Sequence, residues 1–397
     1  MGNINKKLSS SVKGNVFYAG LVSLFMDISS EMVYPLVPLF LVNILGVSKT
    51  TVGIIEGIAE ATASVMKIFS GWLSDKLGKR KLLMTIGYGI SALSRPVIAG
   101  ASVWTHVLGA RFIDRLGKGI RTAPRDALIA DSVEHRDLGT AFGFHRMMDT
   151  VGAIIGPAIA FILLFILKDN LRTVFLASAI PAVIAVLVII VFVKEKPRPP
   201  RSARGYGSPL PRLSLSSFNG PFRRYILVIA VFSLGNFADA FIILHTQNLG
   251  VGKEFIMIIY LVHNAVYAAS AIPLGLLADR IGVKKMVGAG FIYYSLIYAG
   301  LALATSSMHI WLLFPLYGIY KGMSDGAQRA YLAHLAPPEK KATAFGVYHT
   351  VAGLMLLPAS VIAGALWDKI GPAAPFIYGS VLSLIAAFIF LFGGRRA

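Results

Sequence analysis

The chain contains no cysteine. That excludes disulfides and thiolate-bound metal, and it leaves the compartment open. Acidic residues are scarce, with 19 Asp and Glu against 38 Lys and Arg, a formal net charge of +19. Charge of either sign is thin: 14% of the 397 residues, where 56% are hydrophobic. No phosphate loop, nucleophile elbow or zinc spacing stands out, so an enzyme is not expected. The opening MGNINKKLSSSVKGN lacks a signal-peptide cleavage pattern, and Lys6 stands where N-myristoylation requires Ser or Thr. Neither a leader nor a lipid anchor is expected.

What is present is apolar sequence in long runs, with a mean hydropathy of +0.69. A soluble chain of this length would divide into two or three domains; this one reads as a membrane protein. TVFLASAIPAVIAVLVIIVFV (173–193) and AAPFIYGSVLSLIAAFIFLFGG (373–394) carry no charge. Each is long enough to cross a hydrocarbon core roughly 30 Å thick. Twelve transmembrane helices are predicted, near 16–42, 50–72, 82–102, 104–131, 138–167, 173–193, 224–246, 253–275, 285–305, 308–333, 342–367 and 373–393.

The basic excess invites a nucleic-acid reading, and its distribution argues against one. One set of alternating connections collects Lys6, Lys7, Lys13, Lys76, Lys79, Arg80 and Lys81. The same set holds the run from Lys194 to Arg224, then Arg280, Lys284, Lys285, Lys340, Lys341, Arg395 and Arg396. The other keeps only Lys49, Lys168, Arg172, Lys253 and Lys369. Positive charge collects on the cytoplasmic side. Both termini are therefore expected there, in a multi-pass protein of the inner (plasma) membrane. Its expected partners are the lipid bilayer and a small-molecule or ion substrate, without nucleic acid, and it is expected to work as a monomer.

Residues 194–223 are rich in Pro, Gly, Ser and Arg and cannot build a core. They read as a cytoplasmic linker, either a plain flexible tether or one resting on the anionic leaflet. The linker separates a six-helix bundle over 1–193 from another over 224–397, and the two repeat each other. GWLSDKLGKRKLL (71–83) matches GLLADRIGVKKMV (275–287) at an offset of 204. Lys118-Gly119 matches Lys321-Gly322, and TAFG (140–143) matches TAFG (343–346), both at 203. An even number of spans in each half makes the repeats parallel.

On these residues the chain resembles the major facilitator superfamily over essentially its whole length. The segment from Gly71 through Asp75, Gly78, Lys79, Arg80 and Lys81 is similar to that family's signature between helices 2 and 3. Arg115 followed by Lys118-Gly119 resembles the helix 4 signature, although Lys118 stands where many members have a neutral residue. Gly152, Gly156 and Pro157 resemble the helix 5 signature of its proton-coupled antiporters. The resemblance implies an all-α integral membrane protein, two six-helix bundles working by alternating access around a central cavity. Helices 1, 2, 4, 5, 7, 8, 10 and 11 would line it. It also implies gating roles for Gly71, Asp75, Gly78, Arg80, Gly152, Gly156, Pro157 and Asp279, with Asp75 near the start of helix 11 and Asp279 near helix 5. The glycines of the first signature would supply close approach and a tight turn. Independently, helices 6 and 12 carry no charge, helix 9 only Lys285 at its start, and helix 3 essentially Arg95 alone.

RFIDRLGKGIRTAPRD (111–126) holds seven charges. At about 100° per residue, Arg111, Asp114, Arg115, Lys118, Arg121, Thr122, Arg125 and Asp126 share one face. Phe112, Ile113, Leu116, Ile120 and Ala127 take the other. A charge at bilayer depth costs at least about 2.5–3.5 kcal/mol, so such a stripe faces water or partners. Arg115, Lys118, Arg121 and Arg125 are therefore candidates for substrate binding, though Arg111 could snorkel and Arg125 and Asp126 could belong to a gate. Asp27 and Glu31 share a face of helix 1, and His145 and Asp149 share a face of helix 5. His145 is a further candidate for substrate binding. Burial and a nearby cation push a carboxylate's proton affinity in opposite directions, so Asp27, Glu31 and Asp149 are candidates for proton coupling. Glu56 and Glu60 of helix 2 are candidates for fixed ion pairs. In the second half Asp239, His263 and Lys321 are candidates for substrate binding, beside Tyr260, Tyr267, Tyr317, Ser324 and Gln328.

The leading reading is a secondary active transporter: a proton-coupled antiporter exporting a small polar or charged compound, driven by the proton gradient without a cofactor. A richly basic cavity argues against a simple multidrug pump. Uptake or exchange of an organic anion or phosphate ester is an alternative, with Arg115, Lys118, Arg121, Arg125 and Lys321 as its clamp. Another is divalent metal (iron-like) export through Asp27, Glu31, His145 and Asp149. A non-transporting receptor or lipid scramblase on the same scaffold is a fourth.

Overall fold

The computed structural model describes residues 12, 14–77, 79–134, 137–195, 218–337 and 341–393. Every regular element among them is a helix, and the segments join into twelve. These are α1 (Asn15–Asn43), α2 (Lys49–Leu77), α3 (Arg80–Ala99), α4 (Trp104–Asp131), α5 (Leu138–Ile166) and α6 (Leu171–Phe192). The second set is α7 (Gly220–Asn248), α8 (Lys253–Ile281), α9 (Val283–Ala302), α10 (Ser307–Leu335), α11 (Lys341–Lys369) and α12 (Ala374–Phe392). Eight are long and apolar enough to cross a membrane on composition alone; α2, α4, α9 and α10 are more polar.

The ends follow local chemistry. Asn170 accepts from Thr173 N–H at the start of α6, and Asn219 accepts from Phe222 N–H at the start of α7, each capping an orphan donor. α1 is interrupted at Tyr34 and Pro35, where proline removes a donor. α7 breaks at the corresponding place, residues 236–239. The largest departures from prediction are α2 and α8, which run on to Leu77 and Ile281. Gly71 and Asp279 are thus inside helices, and the turn comes later. Gly282, the repeat partner of Gly78, makes it at φ +96°, a conformation that favours glycine. Gly78 itself and the side chain of Asp75 lie outside the described residues, as does linker 196–217.

Two compact units divide the chain, with boundaries inside α1 (Val37 and Pro38), inside α2 (Ala61 and Thr62) and in the linker. In the first unit, α1 crosses α5, α3 crosses α4, and α6 packs on α1 and α3. Val22, Met26, Met84, Tyr88, Leu128, Ala182, Ala185 and Ile189 form its buried apolar cluster. The second unit holds residues 38–61 together with α7 to α12. The physical reason is a glycine ladder. A methyl group on Gly53 would strike the Ser360 carbonyl, and one on Gly57 would lie 2.8 Å from Cα of Leu357. Asp368 of α11 then caps the start of α2, accepting from Lys49 N–H at 3.1 Å, Thr50 N–H at 2.8 Å and the Thr50 hydroxyl at 2.7 Å.

Apolar side chains also cover the outside. Leu176, Ile180, Val183, Leu187 and Ile190 of α6 are exposed at helical spacing, as are Ile377, Val381, Leu384 and Phe388 of α12. A surface of that kind is stable only against lipid.

Candidate functional site

In the first unit the charged stripe of α4 faces the interior. Arg111, Asp114, Arg115 and Arg121 are buried, whereas Phe112 and Ile113 are exposed. Lys118 is the exception within the stripe and is exposed. Asp114 is the hub. Arg95 of α3 reaches its Oδ1 at 3.3 Å, and Arg111 and Arg115 approach its Oδ2 at 3.8 Å. Arg95 also donates to the hydroxyls of Ser29 and Ser30 on α1, both at 3.0 Å. The guanidinium carbons of Arg111 and Arg115 stand 5.4 and 5.8 Å from the centre of the Tyr34 ring. Such contacts add cation–π attraction to charge pairing.

Further along α4 the cations turn to other neighbours. Arg121 lies over the Tyr88 ring at 4.4 Å and donates to Ser91 at 2.8 Å, which joins α4 to α3. Arg125 is held by Asp126 at 2.9 and 3.0 Å and donates to the Ser23 hydroxyl at 3.3 Å. Ser23 also contacts Nε2 of His145 at 2.8 Å, and Nδ1 of that ring is 3.6 Å from Asp149. His145 is therefore a buried link between α1 and α5.

The carboxylates of α1 stand where α5 comes closest. A methyl group on Gly152 would lie 2.7 Å from the Leu24 carbonyl and 2.9 Å from Cβ of Asp27. One on Gly156 would lie 2.7 Å from the Ile28 carbonyl and 2.9 Å from Cβ of Glu31. Small residues let helix backbones approach in this way. The charges that act on Asp27 include those of Asp149, Lys118, Glu31 and Arg121. Pro157 lies within α5, one residue past Gly156. Among the described residues, no three His, Asp or Glu side chains group closely enough to hold a metal ion.

Other residues expected at gates sit as follows. A methyl group on Gly71 would meet only Ala123, at an ordinary 3.6 Å, so close approach does not require this glycine. Arg80 forms an ion pair with Asp131 and donates to the Ala127 carbonyl at 2.7 Å, tying the start of α3 to the end of α4. Glu195 accepts from the backbone N–H groups of Arg80 and Lys81 and so caps α3. Asp279 is exposed in the last turn of α8.

The second unit answers with aromatic chemistry. Lys321 donates to Oδ2 of Asp239 at 3.2 Å, and the Tyr317 hydroxyl donates to Oδ1 at 2.9 Å. His263 is buried, contacts the Phe314 carbonyl at 3.1 Å through Nδ1, and stacks on Tyr317. Tyr294, Tyr298, Tyr317 and Tyr320 form a continuous ring cluster behind it. Tyr267 donates to Asp325 at 2.9 Å, and Tyr348 donates to the Gln328 side chain at 2.6 Å. Sequence reasoning missed Arg95 as a partner of Asp114 and omitted Asp325. A lone charge in apolar helix 3 was the available signal for Arg95.

Repeated helical bundles with charged, inward-turned stripes and an apolar exterior define a multi-pass membrane transporter. A model of the Major Facilitator Superfamily matches residues 19–251 and 225–397, and the chain belongs to that family. Its members are transporters, not enzymes. An uncharacterized MFS-type transporter of Methanocaldococcus jannaschii is 35% identical over 394 residues, 98% of this chain and 97% of its own. A multi-drug resistance efflux pump PmrA homolog of Lactococcus lactis is 24% identical, covering 98% of this chain and 96% of its own. The crystal structure of a variant of the nucleoside transporter NupG has the same fold, with a TM-score of 0.82 at 13% identity, over 95% of this chain and 99% of that one.

Proposed function

We propose that the protein is a proton-coupled antiporter that exports a small polar or charged compound by alternating access, using the proton gradient. It would sit in the inner (plasma) membrane with both termini cytoplasmic and work as a monomer. The observation that carries the reading is the carboxylate group at the α1–α5 crossing. Asp27 and Glu31 lie against Gly152 and Gly156, and the charges of Asp149, Lys118 and Arg121 act on Asp27. Carboxylates held at depth beside cations can exchange a proton as a cation moves toward or away from them. The efflux pump among the relatives is consistent with export.

Proteoliposomes with an imposed pH gradient test this. The gradient should drive uphill flux, and Asp27→Asn should leave flux that no longer responds to it. Unchanged pH dependence in Asp27→Asn would remove Asp27 from coupling, and no gradient-driven flux of any tested compound would remove antiport.

Organic-anion exchange is the second reading. Arg95, Arg111 and Arg115 share the single carboxylate of Asp114, and the excess of positive charge that this leaves favours it. Two members of its expected clamp weaken it, because Arg121 and Arg125 are already engaged by Ser91, Tyr88, Asp126 and Ser23.

A further inference from the structure

The two units divide α2 between them at Ala61 and Thr62. Its first half packs on α11 along a seam lined by glycine. Gly53 faces the Ser360 carbonyl, Gly57 faces Leu357, and a methyl group on Gly364 would lie 2.5 Å from the Lys49 carbonyl. Backbone meets backbone at these positions, as small residues allow. Asp368 stands at the end of the seam. Its carboxylate accepts from Lys49 N–H at 3.1 Å, Thr50 N–H at 2.8 Å and the Thr50 hydroxyl at 2.7 Å. Asp368 is exposed, and the charge of Lys49 acts on it. α2 also has a cap of its own, because Ser48 accepts from Thr51 N–H at 3.2 Å. The repeat calls for none of this. At its offsets of 203 and 204, Gly53 and Gly57 correspond to Met257 and Leu261, Gly364 to Phe161, and Asp368 to Phe165.

Three glycines and an acid on one seam thus give way to four bulky apolar residues at the matching positions, and both sets serve the same frame. The seam of α2 and α11 is written for something other than the fold. An acid at a helix start satisfies orphan donors and opposes the helix dipole. This one is also detachable. When the carboxylate swings away, Ser48 still holds Thr51, and water can take the N–H groups of Lys49 and Thr50, so no buried polar group is stranded. We propose that Asp368 is a gating residue, the catch that keeps the start of α2 on α11 while the outer side of the transporter is shut. With the catch made, the first half of α2 moves with α11; with it broken, the whole helix moves with the first unit. The inference rests on the exporter reading, in which this end of α2 lies on the side opposite both termini. It adds to that reading a gate residue that lies outside all three signature segments.

The test is a distance measurement between nitroxide labels on Ile44→Cys and Ile370→Cys in the purified full-length protein. Both positions are exposed, one just before α2 and one just after α11, and the chain has no cysteine of its own to compete for label. Double electron–electron resonance, at fixed pH without substrate or gradient, should find mostly a short separation and a minor longer one. Asp368→Ala should raise the long-to-short ratio by about tenfold, the worth of a hydrogen bond to a charged group. Thr50→Val, which removes one donor and keeps both N–H groups, should raise it by about two- to threefold. A residue that only capped α2 would behave otherwise: Asp368→Ala would lower the melting temperature and leave the ratio unchanged, and that result would overturn the inference. So would a single separation common to wild type and both variants. Should Asp368→Ala not fold, Thr50→Val decides alone. A shifted ratio without gradient-driven flux would sink antiport and leave the catch, whereas gradient-driven flux with an unmoved ratio would sink the catch alone.

Discussion

At an offset of 203, α4 and α10 present the same positions to their neighbours and fill them with different chemistry. Arg111, Asp114 and Arg115 correspond to Phe314, Tyr317 and Gly318, and Lys118 to Lys321. Arg121, Thr122, Arg125 and Asp126 correspond to Ser324, Asp325, Gln328 and Arg329. The first unit interlocks charges around Asp114. The second interlocks rings around Tyr317. What both keep is the crossing point. A methyl group on Gly119 would run into Met66, and one on Gly322 into Ser270, its repeat partner at 204. Both halves therefore place a glycine beside the lysine at a tight crossing, and leave the rest of the stripe to be written for ligands and partners.

Asp114→Ala should break the comparison most severely. It would leave three buried guanidiniums without their shared carboxylate and cost about 3–5 kcal/mol of unfolding free energy. Tyr317→Phe at the matching position should cost only about 1 kcal/mol, the value of one hydrogen bond. Unfolding in a detergent titration measures both; equal costs would mean that Asp114 is not a hub. Gly119→Leu and Gly322→Leu come next, at roughly 1–3 kcal/mol each from overpacking. Similar losses in both would sharpen the comparison, and a tolerated leucine in either would remove its crossing from the shared frame. Arg121→Lys should have the smallest effect, about 1 kcal/mol, because a lysine keeps the charge but loses the guanidinium face over Tyr88. Its melting temperature should fall by more than that of Ser324→Ala; the reverse order would show that the Tyr88 contact contributes little.

Much of the architecture was legible in the chain alone. Helical periodicity sorted the charges of 111–126 to one face because a lipid-facing arginine is too costly to keep, and Arg111, Asp114, Arg115 and Arg121 are indeed buried. The pairings were not legible. Nothing in the spacing of α4 says that Arg121 turns to Tyr88 and Ser91, or that Arg125 is held by its own neighbour Asp126. The glycine readings divided for the same reason. Gly282 shows its need in its own backbone angle, whereas the need for Gly152 exists only because α1 passes over it.

The sequence by itself determined that this chain is a twelve-helix membrane protein built from two repeats, because hydropathy, helical period and a constant offset are properties of the chain read along its length. It also determined which face of helix 4 carries charge. Only the tertiary structure decided which charges meet. It gave Asp114 three arginines, set the α1 carboxylates against the glycines of α5, and joined Lys321 to Asp239 under an aromatic wall. Ion pairs and close crossings depend on the distance between atoms far apart in sequence, and that distance is set by packing rather than by period.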